Sequence, residues 1–243
     1  MIKKVFILLL LVLLSCYFVV AITVLNRPQE GVLCSDVEAF IGDSAQIGFI
    51  KKDEIINILT QNKCNPVGKK IDEISLVKIE KTLLNNPYIS DVTAYKTPNG
   101  KVNVIVKQYI PTVYVMAEGG QNYFLDRSGR VLPHLSYFAD LVVATGHITP
   151  QFAKQSLAPL GCLLQDDAFW SNQVQQINIT ENGEVELVPR VGNHIIALGP
   201  PTNLEEKLTR MKEFYTEGLN KVGWNKYSRI SLKYDNQIVC KKR

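Results

Sequence analysis

Histidine is scarce in this 243-residue chain: His134, His147 and His194 are all there is. None belongs to a His-Glu-x-x-His, and no two have the spacing that would put a pair of metal ligands on one helix face. Gly-x-Ser-x-Gly, Gly-x-Gly-x-x-Gly and the phosphate-binding loop are also absent, which removes the common hydrolase, dinucleotide and nucleotide signatures. Five cysteines occur without a Cys-x-x-Cys, so zinc and thioredoxin-like readings are weak. Asp166-Asp167, the adjacent carboxylate pair, reads as a solvated loop or a helix start. No internal basic stripe interleaved with aromatics exists; much of the excess behind the net charge of +4 sits in Lys3-Lys4 and Lys241-Lys242-Arg243. Nucleic-acid binding therefore has little support. The expectation is a protein that is not an enzyme, with no cofactor, no metal and no small-molecule substrate.

What the chain does have is a long apolar run at its start. Residues 5–25, VFILLLLVLLSCYFVVAITVL, carry no charge. About 21 residues at 1.5 Å each suffice for a hydrocarbon core of roughly 30 Å. Lys3 and Lys4 precede the run, so the positive-inside tendency puts residues 1–4 in the cytoplasm and the bulk of the chain beyond the membrane. A cleaved signal peptide would have a shorter apolar stretch and a small-residue cleavage site, where this run ends in Thr23-Val24-Leu25-Asn26-Arg27. Leu13-Leu14-Ser15-Cys16 resembles a lipidation box, but residues 17–25 stay apolar where a lipoprotein turns polar. The remainder, in a chain 46% hydrophobic and 21% charged, has the composition of folded protein.

After a linker at 26–31, residues 32–40 read as a strand. Ile55, Ile56 and Leu59 then share a helix face, with Asp53 and Glu54 in its first turn. Leu76, Ile79, Leu83 and Leu84 mark a second helix, which Pro87 ends. Residues 89–96 and 101–108 alternate around Pro98-Asn99-Gly100, a hairpin signal. The order is strand, helix, helix, strand, strand.

Beyond Pro111, strands are expected at 113–115, 123–125 and 141–143, with a turn at Asp126-Arg127-Ser128-Gly129. Thr149-Pro150 caps a helix that Pro159 is expected to break. Residues 174–180, 184–188 and 193–198 form a meander through Asn182-Gly183. Thr202-Asn203-Leu204-Glu205 has the pattern of a capping box. It precedes a helix whose stripe is Leu204, Leu208, Met211, Tyr215, Leu219 and Val222. The last strand is expected through Ile230 and Leu232, with Arg229, Ser231 and Lys233 on its other face.

The first of these units resembles a POTRA domain, with Asn86-Pro87-Tyr88-Ile89-Ser90-Asp91-Val92 joining second helix to hairpin and Gln108-Tyr109-Ile110-Pro111 closing the domain. The second resembles the β domain of the FtsQ/DivIB cell-division family in its Bacteroidota versions. The matching stretches are Phe124-Leu125-Asp126 with Gly129, Phe169-Trp170, Leu187-Val188-Pro189-Arg190-Val191-Gly192, Leu198-Gly199, Lys207 to Tyr215, and Gly223-Trp224 through Cys240. The fold class expected is α+β: a single transmembrane helix at 5–25, a POTRA-like β-α-α-β-β domain at 32–110, and a mostly antiparallel β domain with a packed helix at 111–243.

The resemblance implies a non-enzymatic, single-pass scaffold of the divisome at the septum. It would sit in the inner membrane with its folded domains in the periplasm, and would help recruit and regulate septal peptidoglycan synthesis. Its partners would be FtsB/FtsL-type membrane-anchored division proteins and other divisome components. Strand addition at an open edge is the physical means. The residues expected to carry it are Arg229, Ser231, Lys233, Tyr234, Asn236, Gln237 and Val239. Some family members have an Arg after the Leu-Gly pair that helps hold the partner; here Pro200-Pro201 follows Leu198-Gly199. The alternative readings are a POTRA-containing envelope assembly or transport component, or a lipoprotein binding module. In an oxidising compartment Cys34 with Cys64 and Cys162 with Cys240 could pair within their domains, or all four could remain buried thiols.

Overall fold

The computed structural model describes residues 2–25, 31–42, 49–118, 120, 122–134 and 140–243. The expected linker at 26–31 falls almost wholly outside them. α1 (Ile2–Leu25) is one helix of 24 residues and takes in Lys3 and Lys4. Its side chains are described for residues 9–22. Among the residues whose side chains are described, which in α1 are 9–22, no helix is long and apolar enough to cross a membrane.

The chain divides into two compact units, residues 1–42 with 50–107, and residues 43–49 with 108–243. In the first, β1 (Asp36–Ile41), α2 (Lys52–Gln61), α3 (Leu76–Leu84), β2 (Ile89–Lys96) and β3 (Lys101–Gln108) follow the expected order, with one 3-10 turn at Ile71–Glu73. The sheet order is β1-β3-β2, with β1 and β3 parallel. The first strand begins later than its apolar pattern suggested, because Leu33 forms only an isolated bridge with Lys70. Ile55 and Leu59 of α2 and Ile79 and Leu83 of α3 are buried, as are Val102, Val104 and Val106 of β3. Alternation along β3 sends this Val set to one face, where the two helices cover it. Ser75 caps α3 by accepting from Lys78 N. Gly100, at φ +74, supplies the left-handed residue that the hairpin turn requires.

The second unit is built on a nine-stranded sheet. Its strands are β4 (Pro111–Met116), β5 (Asn122–Asp126), β6 (Val131–Pro133), β7 (Val142–Gly146), β8 (Val174–Ile179), β9 (Val185–Pro189), β10 (Ile195–Gly199), β11 (Tyr227–Ser231) and β12 (Val239–Lys242). Their spatial order is β12-β11-β10-β9-β8-β7-β4-β5-β6. Three neighbouring pairs are parallel: β4 with β7, β7 with β8, and β10 with β11. The other five neighbouring pairs are antiparallel, so the sheet is mostly antiparallel, as expected, with three parallel joins. Two of the parallel joins need crossovers, and helices supply them.

The first crossover runs through α4 (Pro150–Phe152), a π-turn at Ala153–Leu157, α5 (Ala158–Asp166) and α6 (Ala168–Gln173). Thr149 caps it by accepting from Phe152 N. Pro159 does not break this run, contrary to expectation. It follows directly on the π-turn and sits in the first turn of α5, where a missing N–H costs little. The second crossover is α7 (Leu204–Glu213), a π-turn at Phe214–Leu219, and α8 (Asn220–Val222). The Thr202–Glu205 capping box does not form. Asn203 is the cap residue instead, at φ +52 and without a side-chain bond.

Leu204, Leu208, Met211, Tyr215 and Leu219 are buried as the stripe predicts, whereas Val222 is exposed. They pack with Val113, Ala144, Ile177, Leu187, Ile196 and Ile230 into one core on one face of the sheet. Close packing extends to the backbone: a Cβ at Gly161 on α5 would lie 2.3 Å from Val113 Cγ2.

Candidate functional site

An open sheet is defined by its two outer strands, and the two ends of this one differ. β6 has three residues and ends in Pro133, the kind of blunted margin that resists pairing. At the other end β11 is not the last strand, as the sequence suggested. β12 pairs antiparallel with it, Val239 opposite Ser231, Cys240 opposite Ile230 and Lys241 opposite Arg229. Asn236, at φ +56, supplies the left-handed turn that brings the chain back. β11 thus has a strand on both sides, and the outer backbone margin belongs to β12.

The expected partner-binding residues separate into two groups on this geometry. Arg229 and Ser231 lie on β11, half-buried, and Lys233 follows just beyond it. Arg229 Nη2 donates to Glu186 Oε1 at 2.5 Å. Lys233 Nζ bonds to Glu184, which raises the lysine pKa first through that bond and then through the carboxylate's charge. The stem of Lys233 also covers Gly199, where a Cβ would meet Lys233 Cγ at 3.0 Å. Arg229 and Lys233 are therefore engaged inside the unit. Tyr234, Asn236, Gln237 and Val239 form the second group, exposed along the turn and the start of β12.

The turn is braced from α7. Arg210 donates from Nη1 to Tyr234 O at 3.3 Å, and Leu232 N donates to Ala197 O at 2.9 Å. Lys207 is buried and donates to Pro200 O at 2.8 Å, and its burial lowers the pKa of its ammonium. The Pro200-Pro201 corner is thus held by a lysine from the helix that follows it.

Beneath this end lies an aromatic cluster. Tyr215 sits edge-on to Phe169, Trp170 and Trp224, with ring centroids 5.9, 5.9 and 5.0 Å away. His194 is buried, with Nε2 2.7 Å from the Tyr215 hydroxyl and Nδ1 without a partner. Burial, followed by the Arg243 charge, holds the His194 pKa below its usual value, and burial pushes the Tyr215 phenol up. Arg243 in turn donates to Asn193 O and Lys226 O, pinning the end of β12.

Among the described residues no three His, Cys, Asp or Glu come together to hold a metal. Asp166 and Asp167 have separate structural tasks: Asp166 accepts a two-pronged bond from Arg127, and Asp167 caps α6 and bonds Lys212. All five cysteines are free. Cys34 Sγ donates to Asp36 O and Cys64 Sγ meets Thr82 Oγ1, while Cys162 turns to Arg127 O and Cys240 lies on β12 opposite Ile230. Neither intradomain pairing is formed. A groove of about 670 Å³ between the α4–α5 run and the start of α7, lined by Pro159, Leu163 and Leu204 among others, shares no residue with the β12 margin.

Sequence reasoning missed Cys240, Lys241 and Lys242 as strand residues. The signal was present in Asp235-Asn236, a turn pair, followed by Ile238, Val239 and Cys240.

Comparison with known families gives two matches. Residues 32–107 match a POTRA-like domain, and residues 110–241, more than half of the chain, match the model described as FtsQ/DivIB, C-terminal related. No curated protein matches the chain.

Proposed function

The chain belongs to the FtsQ/DivIB family, and we propose that it is a membrane-anchored, non-enzymatic scaffold that binds FtsB/FtsL-type division proteins by strand addition at β12. In that role it helps recruit and regulate septal peptidoglycan synthesis. The observation that carries this reading is the position of β12: it ends a nine-stranded sheet, so a row of its N–H and C=O groups faces outward. An extended partner segment bonds that row and continues the ladder. Exposed Tyr234 and Val239 flank the row and offer apolar contact.

Anchoring is proposed for α1. At 24 residues it is about 36 Å long, and the sequence carries no charge from Val5 to Leu25. Lys3 and Lys4 favour a cytoplasmic start, which leaves both folded units on the periplasmic side. The boundaries proposed are a tail at 1–4, the span at 5–25, a linker at 26–31, a POTRA-like domain at 32–110 and the β domain at 111–243.

The test is a proline scan of Val239, Cys240, Lys241 and Lys242 in the full-length protein, read by capture of the FtsB-type partner and by thermal unfolding. Proline removes a ladder donor. Alternate positions, whose N–H faces outward, should lose capture with unfolding unchanged. Full capture by all four variants would remove β12 from the interface.

A further inference from the structure

On the face away from the helices, a row of polar side chains crosses the sheet. Asn178 Nδ2 on β8 donates to Glu186 Oε2 on β9 at 3.0 Å, and Glu186 Oε1 accepts from Arg229 on β11. Ile238 and Cys240 pack toward the helix-side core, so Val239 and Lys241 stand on the same face as this row. Lys241 is directly opposite Arg229, two like charges across one strand pair. Such a juxtaposition is unfavourable unless an anion balances it, and Glu186, already held by Asn178 and Arg229, makes no bond to Lys241. Among the described residues Lys241 has no carboxylate within 4.0 Å, nor do Lys242 and Lys226. Apart from β10, where Ala197 and Ile195 stand opposite Glu186 and Arg229, the row reads amide, acid, base, base, and stops at the open edge on a cation with no acidic partner among the described residues. Val239, two residues earlier on the same face, is 47% exposed.

Resting on the strand-addition reading above, we propose that β12 selects an acidic strand. Its occupant is an extended segment of another protein with an Asp or Glu facing Lys241 and, two residues away on the same face, an apolar residue facing Val239. The acid completes the row across the sheet and the apolar residue covers Val239. The same lysine repels strands that carry a cation at that position, so one feature both protects the edge and specifies its partner.

The probes are three capped ten-residue strand peptides, identical except for Glu, Gln or Lys placed two residues from a Leu. They are added to the full-length protein in detergent at low salt. Fluorescence anisotropy gives affinity, and amide hydrogen exchange at residues 239–242 gives the site. The Glu peptide should bind about fivefold more tightly than the Gln peptide, the scale of one cross-strand ion pair, and the Lys peptide most weakly. Lys241→Glu should invert the order and Lys241→Gln should level it. Equal affinity of all three peptides, with residues 239–242 protected, would overturn the charge preference while leaving the edge intact. Protection by none of them would overturn both this proposal and the strand-addition reading.

Discussion

Arg229 on β11 reaches over β10 to Glu186 on β9, joining two strands that share no backbone bond. The Glu186 side chain is only 16% exposed, whereas that of Arg229 is 42% exposed. Removing the arginine leaves a largely buried carboxylate with only Asn178 as a described donor. Either alanine variant, Arg229→Ala or Glu186→Ala, should cost about 1–2 kcal/mol in urea unfolding. The double variant should cost less than the sum by about 1 kcal/mol, and strict additivity would show that the pair does not brace β11.

Stability should fall between neutral and mildly acid pH through His194. Its folded pKa lies below the unfolded value of about 6.5 because burial and Arg243 disfavour the charged ring. Between those two values the unfolded chain binds the extra proton. The stabilisation is therefore complete above about pH 6.5 and is lost as pH falls toward the folded pKa. Asp166 and Asp167, held below the usual carboxylate range by bonds from Arg127 and Lys212, act only at lower pH. Urea midpoints at pH 7, 6 and 5 should decline for the native protein and less steeply for His194→Gln. Equal slopes would exclude His194 as the source.

Gly161→Ala sets helix propensity against packing. In an open helix the change gains about 1 kcal/mol, but here the new methyl would lie 2.3 Å from Val113 Cγ2, at a fully buried side chain. Overpacking of this kind costs about 1–3 kcal/mol, so thermal unfolding should move down, not up. A rise in the midpoint would mean that α5 can move away from β4.

Five thiols should titrate per chain in denaturant, with or without prior reduction, since all five cysteines are free. Two or four fewer in the unreduced sample would show that the domains close disulfides.

These tests also mark which features local sequence reveals. The hairpin at Pro98-Asn99-Gly100 and the stripe from Leu204 to Leu219 were legible because turn chemistry and side-chain period act within a few residues. Pro159 misled because the π-turn before it moves the proline into a first turn, where its missing N–H is harmless. The capping box failed because Asn203 adopts a left-handed conformation and moves the cap. The parallel pairs were hidden, since strand patterns do not state their neighbours. At the candidate site, Tyr234 and Val239 were named from the sequence, and both are exposed. The engagement of Arg229 and Lys233 was not, because Glu186 and Glu184 lie more than forty residues away in the chain.

The strand-addition claim meets its most direct test in amide hydrogen exchange over residues 239–242 of the full-length protein, with and without a saturating FtsB-type partner. Alone, the amides of β12 that face outward should exchange freely while those facing β11 are slowed. With partner bound, the outward set should become protected as well. Partner binding that leaves those amides exchanging as before would contradict strand addition at β12.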